Sequence, residues 1–266
     1  MTTKEIEDQP LIDSSWYAIE IKDLVKQYTG RMEVVKAVDT ISFKVRQGEF
    51  FGLLGPNGAG KSTLIGMMTG MSRPTAGEIR IAGYDLSTDK ARIKSLLAVC
   101  PQEPAIYKFM SGLANIKFFG SLYLMTNQQI EERANELLEM LGLFEFRNRL
   151  ARNYSGGMIR QLSLIIALIS DPAILFLDEP TVGMDPRNRR KVWDFLQQAK
   201  GYEKTMILTT HYIEEAEALC DRVAIIDYGQ LLELGTPAEL ISKYGVDNLE
   251  QVFMEITGRS ILEGVY

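Results

Sequence analysis

The segment Gly55-Pro56-Asn57-Gly58-Ala59-Gly60-Lys61-Ser62-Thr63 constrains this chain more than any other. The apolar run Phe50-Phe51-Gly52-Leu53-Leu54 leads into it and reads as a buried strand. Leu64-Ile65-Gly66-Met67-Met68 follows and reads as the start of a helix. A glycine-rich loop between strand and helix is a phosphate cradle. Gly55, Gly58 and Gly60 let the backbone curl so that successive amide N–H groups point inward. The positive end of the following helix faces the same spot. Lys61 adds a full charge for β- and γ-phosphates, and Ser62 offers a hydroxyl to Mg2+. A plain glycine turn with a surface lysine would use similar letters, but the flanking strand and helix argue against it. The loop implies a nucleoside triphosphate without saying what its energy is for.

Length allows one large domain or two small ones, and a hydrophobic fraction of 46% supports a real core. Twenty-nine basic residues against 35 acidic ones give a net charge of −6. No nucleic-acid partner is expected on that balance, since such proteins present a basic face. Cys100 and Cys220 stand far apart, without CxxC or metal spacing, and read as buried small hydrophobes of a reducing compartment. The longest apolar stretch, residues 162–169, is interrupted by Ser163 and is far shorter than the ~20 residues of a membrane span. The acidic start, Met1-Thr2-Thr3-Lys4-Glu5-Ile6-Glu7-Asp8, lacks an apolar signal core. A cytoplasmic location is expected, with any membrane role coming through a partner.

Residues 1–15 read as a loose polar tail. Alternation over 16–21, 40–45 and 78–83 predicts strands of antiparallel character, with Tyr28 in a polar loop between the first two. Residues 96–100 form a short buried strand ended by Pro101-Gln102. From about 103 to 170 the pattern is helical: Ile130, Ala134, Leu137, Leu138 and Leu141 repeat at helical spacing. Ser155 is placed to cap the helix that follows, which Asp171-Pro172 stops. The fully apolar run Ile174-Leu175-Phe176-Leu177 is a strand of the sort covered on both faces. Helix, strand, helix and strand then alternate to residue 227, the α/β signature. A hairpin follows over 230–234, and two short helical patterns close the chain. The reading is a nucleotide-binding unit over 16–245, with a helical insertion over about 103–170 and a C-terminal tail helix in 246–266.

Several polar residues fall at predicted strand ends, where open α/β sheets bind ligands. Asp178-Glu179 follows the strand at Ile174. It is either a solvated turn or, given the loop upstream, a Mg2+ ligand (Asp178) beside a general base (Glu179). His211, the sole histidine, lies just past the strand beginning at Thr205 and is either structural or catalytic. Gln102 is either a surface amide or a group that ligates Mg2+ or holds water. Ser155-Gly156-Gly157 is either a plain N-cap or a second anion nest. One phosphate site hardly needs two nests, so a second nest would serve a nucleotide held by another copy.

From about residue 17 onward the chain resembles the ATP-binding subunits of ABC transporters. Tyr28 corresponds to the aromatic residue that stacks on adenine, and Gly55 to Thr63 form the P-loop. Gln102 is the Q-loop residue, and Tyr154-Ser155-Gly156-Gly157-Met158 is the signature segment. Asp178-Glu179 is the Mg2+ and base pair, Val182-Gly183-Met184-Asp185-Pro186 the D-loop, and His211 the switch histidine. The resemblance implies an α/β P-loop ATPase core: a mixed sheet with a parallel centre, an N-terminal antiparallel β-subdomain and a helical insertion. It implies ATP and Mg2+ as cofactors. It implies a head-to-tail pair in which ATP lies between the P-loop of one copy and Ser155 and Gly157 of the other. It also implies a separate integral membrane permease that draws the chain to the inner face of the cell membrane.

The family's usual signature is Leu-Ser-Gly-Gly-Gln, and Tyr154 and Met158 replace its ends. Met184 stands where Leu is usual, and Ile166 where many relatives carry Arg. The signature variant, the tail from Leu249 to Arg259 and the segment Pro101-Gln102-Glu103-Pro104-Ala105-Ile106-Tyr107 look like the branch that exports drugs, antibiotics or polysaccharides. Tyr107, Phe109 and Phe118 are either core or part of a groove for the permease. The competing expectation is a soluble ABC-type ATPase acting on DNA or ribosomes. Those usually join two ATP modules or carry a long coiled coil, and this sequence has neither. A GTP switch would need an Asn-Lys-x-Asp motif, and no Asn-Lys pair occurs.

Overall fold

The computed structural model describes residues 17–30, 34–201 and 203–261. The predicted tail over 1–15, and Trp16, lie outside them. The first half of the chain runs β1 (Tyr17–Thr29), β2 (Val34–Arg46), β3 (Phe50–Leu54), α1 (Lys61–Met68), β4 (Ala76–Ile81), β5 (Tyr84–Asp85), α2 (Lys90–Leu96), β6 (Leu97–Cys100), α3 (Gly112–Leu122) and α4 (Asn127–Met140). The second half runs α5 (Gly156–Leu168), β7 (Ile174–Asp178), α6 (Pro186–Lys200), β8 (Thr205–Thr210), α7 (Ile213–Leu219), β9 (Arg222–Asp227), β10 (Gln230–Gly235), α8 (Pro237–Tyr244) and α9 (Leu249–Thr257).

Two sheets form. One has the order β2-β1-β4-β5 and is antiparallel throughout. The other has the order β10-β9-β3-β8-β7-β6; its five strands from β9 to β6 are parallel, and β10 returns antiparallel along β9. This is the expected mixed α/β architecture with a parallel centre. Three α-helices, α3 to α5, occupy the chain between β6 and β7.

The unbroken apolar runs of the central strands have a simple cause. Successive side chains alternate between faces, and here both faces are cores. Phe51, Leu53, Phe176, Ile207, Ala224 and Ile226 enter one core with α1 and the antiparallel sheet. Phe50, Leu54, Leu175, Leu177, Leu208 and Ile225 enter the other with α3 to α9. Full burial of each Leu, Ile or Phe is worth roughly 1.5–3 kcal/mol, so a polar residue in these strands needs a reason. The polar residues sit at strand ends: Thr205 and Arg222 open β8 and β9, Asp227 closes β9, and Asp178, Thr209 and Thr210 lie at the carboxyl ends of β7 and β8.

Two elements, β1 and α2, differ from the sequence expectation. Tyr28 lies in β1, paired with Val35, rather than in a loop. β1 is longer than its alternation suggests because bulges interrupt it: the register shifts between Ile21 and Leu24 and again before Lys26, and Asp23 has φ +50°. A bulge throws successive residues out of the two-residue period. α2 was not anticipated, because Ile93 is its one buried residue and no 3.6-residue repeat is visible.

Candidate active site

β3, β8, β7 and β6 are consecutive neighbours in the sheet. Their carboxyl ends therefore place the P-loop, His211, Asp178-Glu179 and Gln102 side by side. The parallel register fixes this: Leu54 pairs with Thr210, and Asp178 with Thr209.

The loop from Gly55 to Gly60 wraps tightly. Gly60 has φ +102°, a conformation L side chains avoid, and a Cβ there would lie 2.4 Å from the Ala37 carbonyl oxygen. Gly60 ends the loop as the N-cap of α1. Lys61 is 5% exposed. Its ammonium donates to the carbonyls of Gly55 at 2.7 Å and Pro56 at 2.9 Å, and lies 3.6 Å from Glu179 Oε1. Ser62 Oγ donates to Asp178 Oδ1 at 3.2 Å. Thr209 Oγ1 donates to the same oxygen at 2.5 Å, which fixes the Asp178 carboxylate.

Glu179 is the most constrained member. Its backbone has φ +48°, a strained value for a non-glycine residue. Its N–H donates to the Thr209 carbonyl and to Thr209 Oγ1, both at 3.1 Å. Gln102 Nε2 donates to Oε2 at 3.1 Å, and His211 Nδ1 lies 3.1 Å from Oε1. Because a carboxylate accepts, that contact places the proton on Nδ1. Burial pushes the Glu179 carboxyl up, but His211, Lys61 and Gln102 together outweigh it and hold it below its ordinary value. Lys61 responds the other way: burial depresses its ammonium, and Glu179 and Asp178 recover only part.

A cavity of about 280 Å3 opens over these groups, lined by Asn57, Gly58, Lys61, Ser62, Gln102 and Glu179, with Ala37 of β2 on a further wall. Thr63 also faces it, and Ala59 is buried beneath. The remaining candidates lie elsewhere. Tyr28 is 47% exposed and takes a Lys26 ammonium over its ring. Asp185 caps α6, accepting from the N–H groups of Arg187 and Asn188. Ser155 caps α5, accepting from the Met158 N–H at 3.2 Å. A Cβ at Gly156 would meet nothing within 4 Å, and one at Gly157 would reach only Ser155 Oγ, at 4.0 Å. Tyr154 is structural: it is buried, and its hydroxyl donates to the Phe146 carbonyl at 2.9 Å. Tyr107, Phe109 and Phe118 are at the surface, Phe109 by 80%, so they are not core.

Two participants were missed. Thr209 holds both Asp178 and Glu179, and the sequence signal was a threonine pair ending an apolar strand. Arg160 of α5 donates to the carbonyls of Gln102 at 3.1 Å and Glu179 at 3.4 Å; nothing in the sequence sets it apart from other helical arginines.

The sequence matches the family described as ABC transporter over residues 38–182, more than half of the chain. The chain belongs to the ABC transporter family. The ABC chain is 40% identical over 228 residues to the linearmycin resistance ATP-binding protein LnrL of Bacillus subtilis, covering 86% of itself and 72% of that relative. It is 40% identical over 244 residues to the doxorubicin resistance ATP-binding protein DrrA of Mycobacterium tuberculosis, covering 92% and 72%. A solved ATP-binding subunit of an ABC transporter superposes with a TM-score of 0.81 at 27% identity, covering 90% of this chain and 99% of that one. The ABC chain is thus an ATP-binding, ATP-hydrolysing transporter subunit. Among its described residues no helix is long and apolar enough to cross a membrane.

Proposed function

We propose that this ABC ATPase energises export of a drug, antibiotic, lipid or polysaccharide through a separate integral membrane permease, working as a pair of copies that closes on ATP. The observation that carries the hydrolytic reading is the Glu179 carboxylate, buried, held ionised, and set between His211 and Gln102 at the Lys61 cleft. In this reading residues 55–63 hold the triphosphate, and Lys61 leaves its carbonyl partners for the β- and γ-oxygens. Glu179 takes a proton from water as the water oxygen bonds to the γ-phosphorus and the bond to the β-bridging oxygen breaks. His211 and Gln102 orient the carboxylate and the water.

The donor set at Ser62 and Asp178 suits Mg2+: two hard oxygens stand together, and this ion takes few protein ligands beside phosphate oxygens and water. Ser62 and Asp178, with the amide oxygen of Gln102, would hold the ion, which when bound neutralises charge on the β- and γ-phosphates.

The cavity is below the ~300–1,000 Å3 of sites that enclose a small ligand, and Tyr28 and the Ser155 nest lie outside it. Both features support a nucleotide completed by a second copy, with Tyr28 under adenine, Ser155-Gly156-Gly157 of the other copy over the γ-phosphate, and Asp185 at the contact. The exposed rings of Tyr107, Phe109 and Phe118 support docking to the permease, and hence a place on the cytoplasmic face of the membrane. The names of the relatives support a drug-like cargo. The test is ATP-dependent uptake of an anthracycline into inside-out vesicles that carry this chain and its membrane subunit, with Glu179→Gln as control. Uptake lost in the control is expected. ATPase activity that responds to DNA or ribosomes, with no membrane protein co-purifying, would overturn the transport reading.

A further inference from the structure

Glu215, in α7, is a fully buried carboxyl that the scheme above leaves unused. Its Oε1 accepts from Thr181 Oγ1 at 2.8 Å and from Trp193 Nε1 at 3.0 Å. Among the described residues none makes a well-formed hydrogen bond to its Oε2, although the Thr210 hydroxyl and Arg189 face the group. An apolar side chain would fill this side of α7, between Ile213, Ala216 and Leu219, without the desolvation that an acid incurs.

The partners show what the acid is for. Thr181 is two residues past Glu179, and itself buried. Trp193 belongs to α6, which Asp185 opens. Glu215 comes four residues after His211, in the helix into which the His211 segment leads. One oxygen thus joins the three segments that carry Glu179, Asp185 and His211. The strained backbone at Glu179 is gripped upstream by Thr209 and downstream, through Thr181, by Glu215. Strain of this kind persists only where its surroundings over-determine it.

We propose that Glu215 is a positioning residue for hydrolysis: through Thr181 it clamps the loop after Glu179 onto the segment that carries His211, and so holds the Glu179 carboxylate in its reactive place. The inference rests on Glu179 being the general base. Burial pushes the Glu215 carboxyl up, so glutamine is a fair mimic: its amide oxygen still accepts from Thr181 and Trp193.

The experiment measures kcat and the equilibrium ATP affinity of the full chain. Thr181→Val keeps the shape and deletes the hydroxyl. It should lower kcat ~3–10-fold, the effect of one hydrogen bond, with ATP affinity within about twofold. Glu215→Leu removes both bonds and should lower kcat further, about 10–100-fold. Glu215→Gln should restore kcat to within about threefold of the parent. A merely structural role would depress the melting temperature without separating kcat from affinity. The proposal is overturned if Thr181→Val keeps the parental kcat, if kcat and affinity fall together, or if Glu215→Gln is as impaired as Glu215→Leu. Should Glu215→Leu fail to fold, Thr181→Val and Glu215→Gln decide. Glu179→Gln is assayed alongside. Parental hydrolysis there removes the general base itself, whereas an inactive Glu179→Gln beside an unimpaired Thr181→Val removes only the clamp.

Discussion

The Lys61 ammonium and the Glu179 carboxylate lie 3.6 Å apart with no more than 6% of either side chain exposed. The loop cation and the carboxylate proposed as general base are paired across the cleft floor. Removing one member of a buried pair leaves the other uncompensated, so the two positions should fail in different ways.

Lys61→Ala should lose nucleotide affinity by ~10–100-fold, the scale of a lost charge-assisted bond. Equilibrium binding of a labelled ATP analogue measures it. Unchanged affinity would remove Lys61 from the phosphate site.

Glu179→Gln keeps the side-chain shape and its contact with Gln102 but cannot take a proton. The turnover number should fall about 10²–10⁴-fold with ATP still bound. Size-exclusion chromatography in ATP should then show a trapped pair of copies. A monomer that hydrolyses normally would sink both the base and the closure.

Gly156→Asp separates folding from partnership. A Cβ at Gly156 meets nothing within 4 Å, and an acid in the first turn of α5 favours the helix by ~0.3–1 kcal/mol. The isolated chain should melt at an equal or higher temperature. Hydrolysis should nonetheless fall at least ~10-fold, because the new charge would face the γ-phosphate held by the other copy. Full activity in this variant would argue that Ser155-Gly156-Gly157 is only a helix cap.

Glu215→Gln also carries a pH signature. Burial raises the Glu215 carboxyl above its ordinary value, so the folded chain binds that proton more tightly than the unfolded one. Stability is then lost as pH rises above the unfolded value and towards the folded one. Glutamine has no proton to lose. The melting temperature of Glu215→Gln relative to the parent should therefore rise between pH 5 and pH 8, and a constant difference would contradict the shift.

Much of this was legible because it depends on local pattern. The glycines of residues 55–63 and the apolar runs of β3, β7 and β8 each announce a backbone requirement or a two-faced core. What was illegible depends on tertiary register. Thr209 matters because parallel pairing sets it opposite Asp178, and Arg160 because α5 passes over two carbonyls. The bulged part of β1 was misread because a strand that shifts register loses the alternation by which strands are recognised. Asp178, Glu179 and His211 each had an ordinary alternative reading; adjacency in the sheet, not spacing in the chain, puts them in one place.

The bonds from Lys61 to the carbonyls of Gly55 and Pro56 carry a consequence for affinity. Without nucleotide the ammonium is not a bare charge awaiting a ligand, because the loop supplies stand-in oxygens. Arrival of ATP is an exchange of one oxygen set for another, so the net gain is a difference between two similar quantities. On the proposed reading Lys61 therefore adds less to ATP affinity than its full charge alone would, and the loop's own carbonyls set by how much.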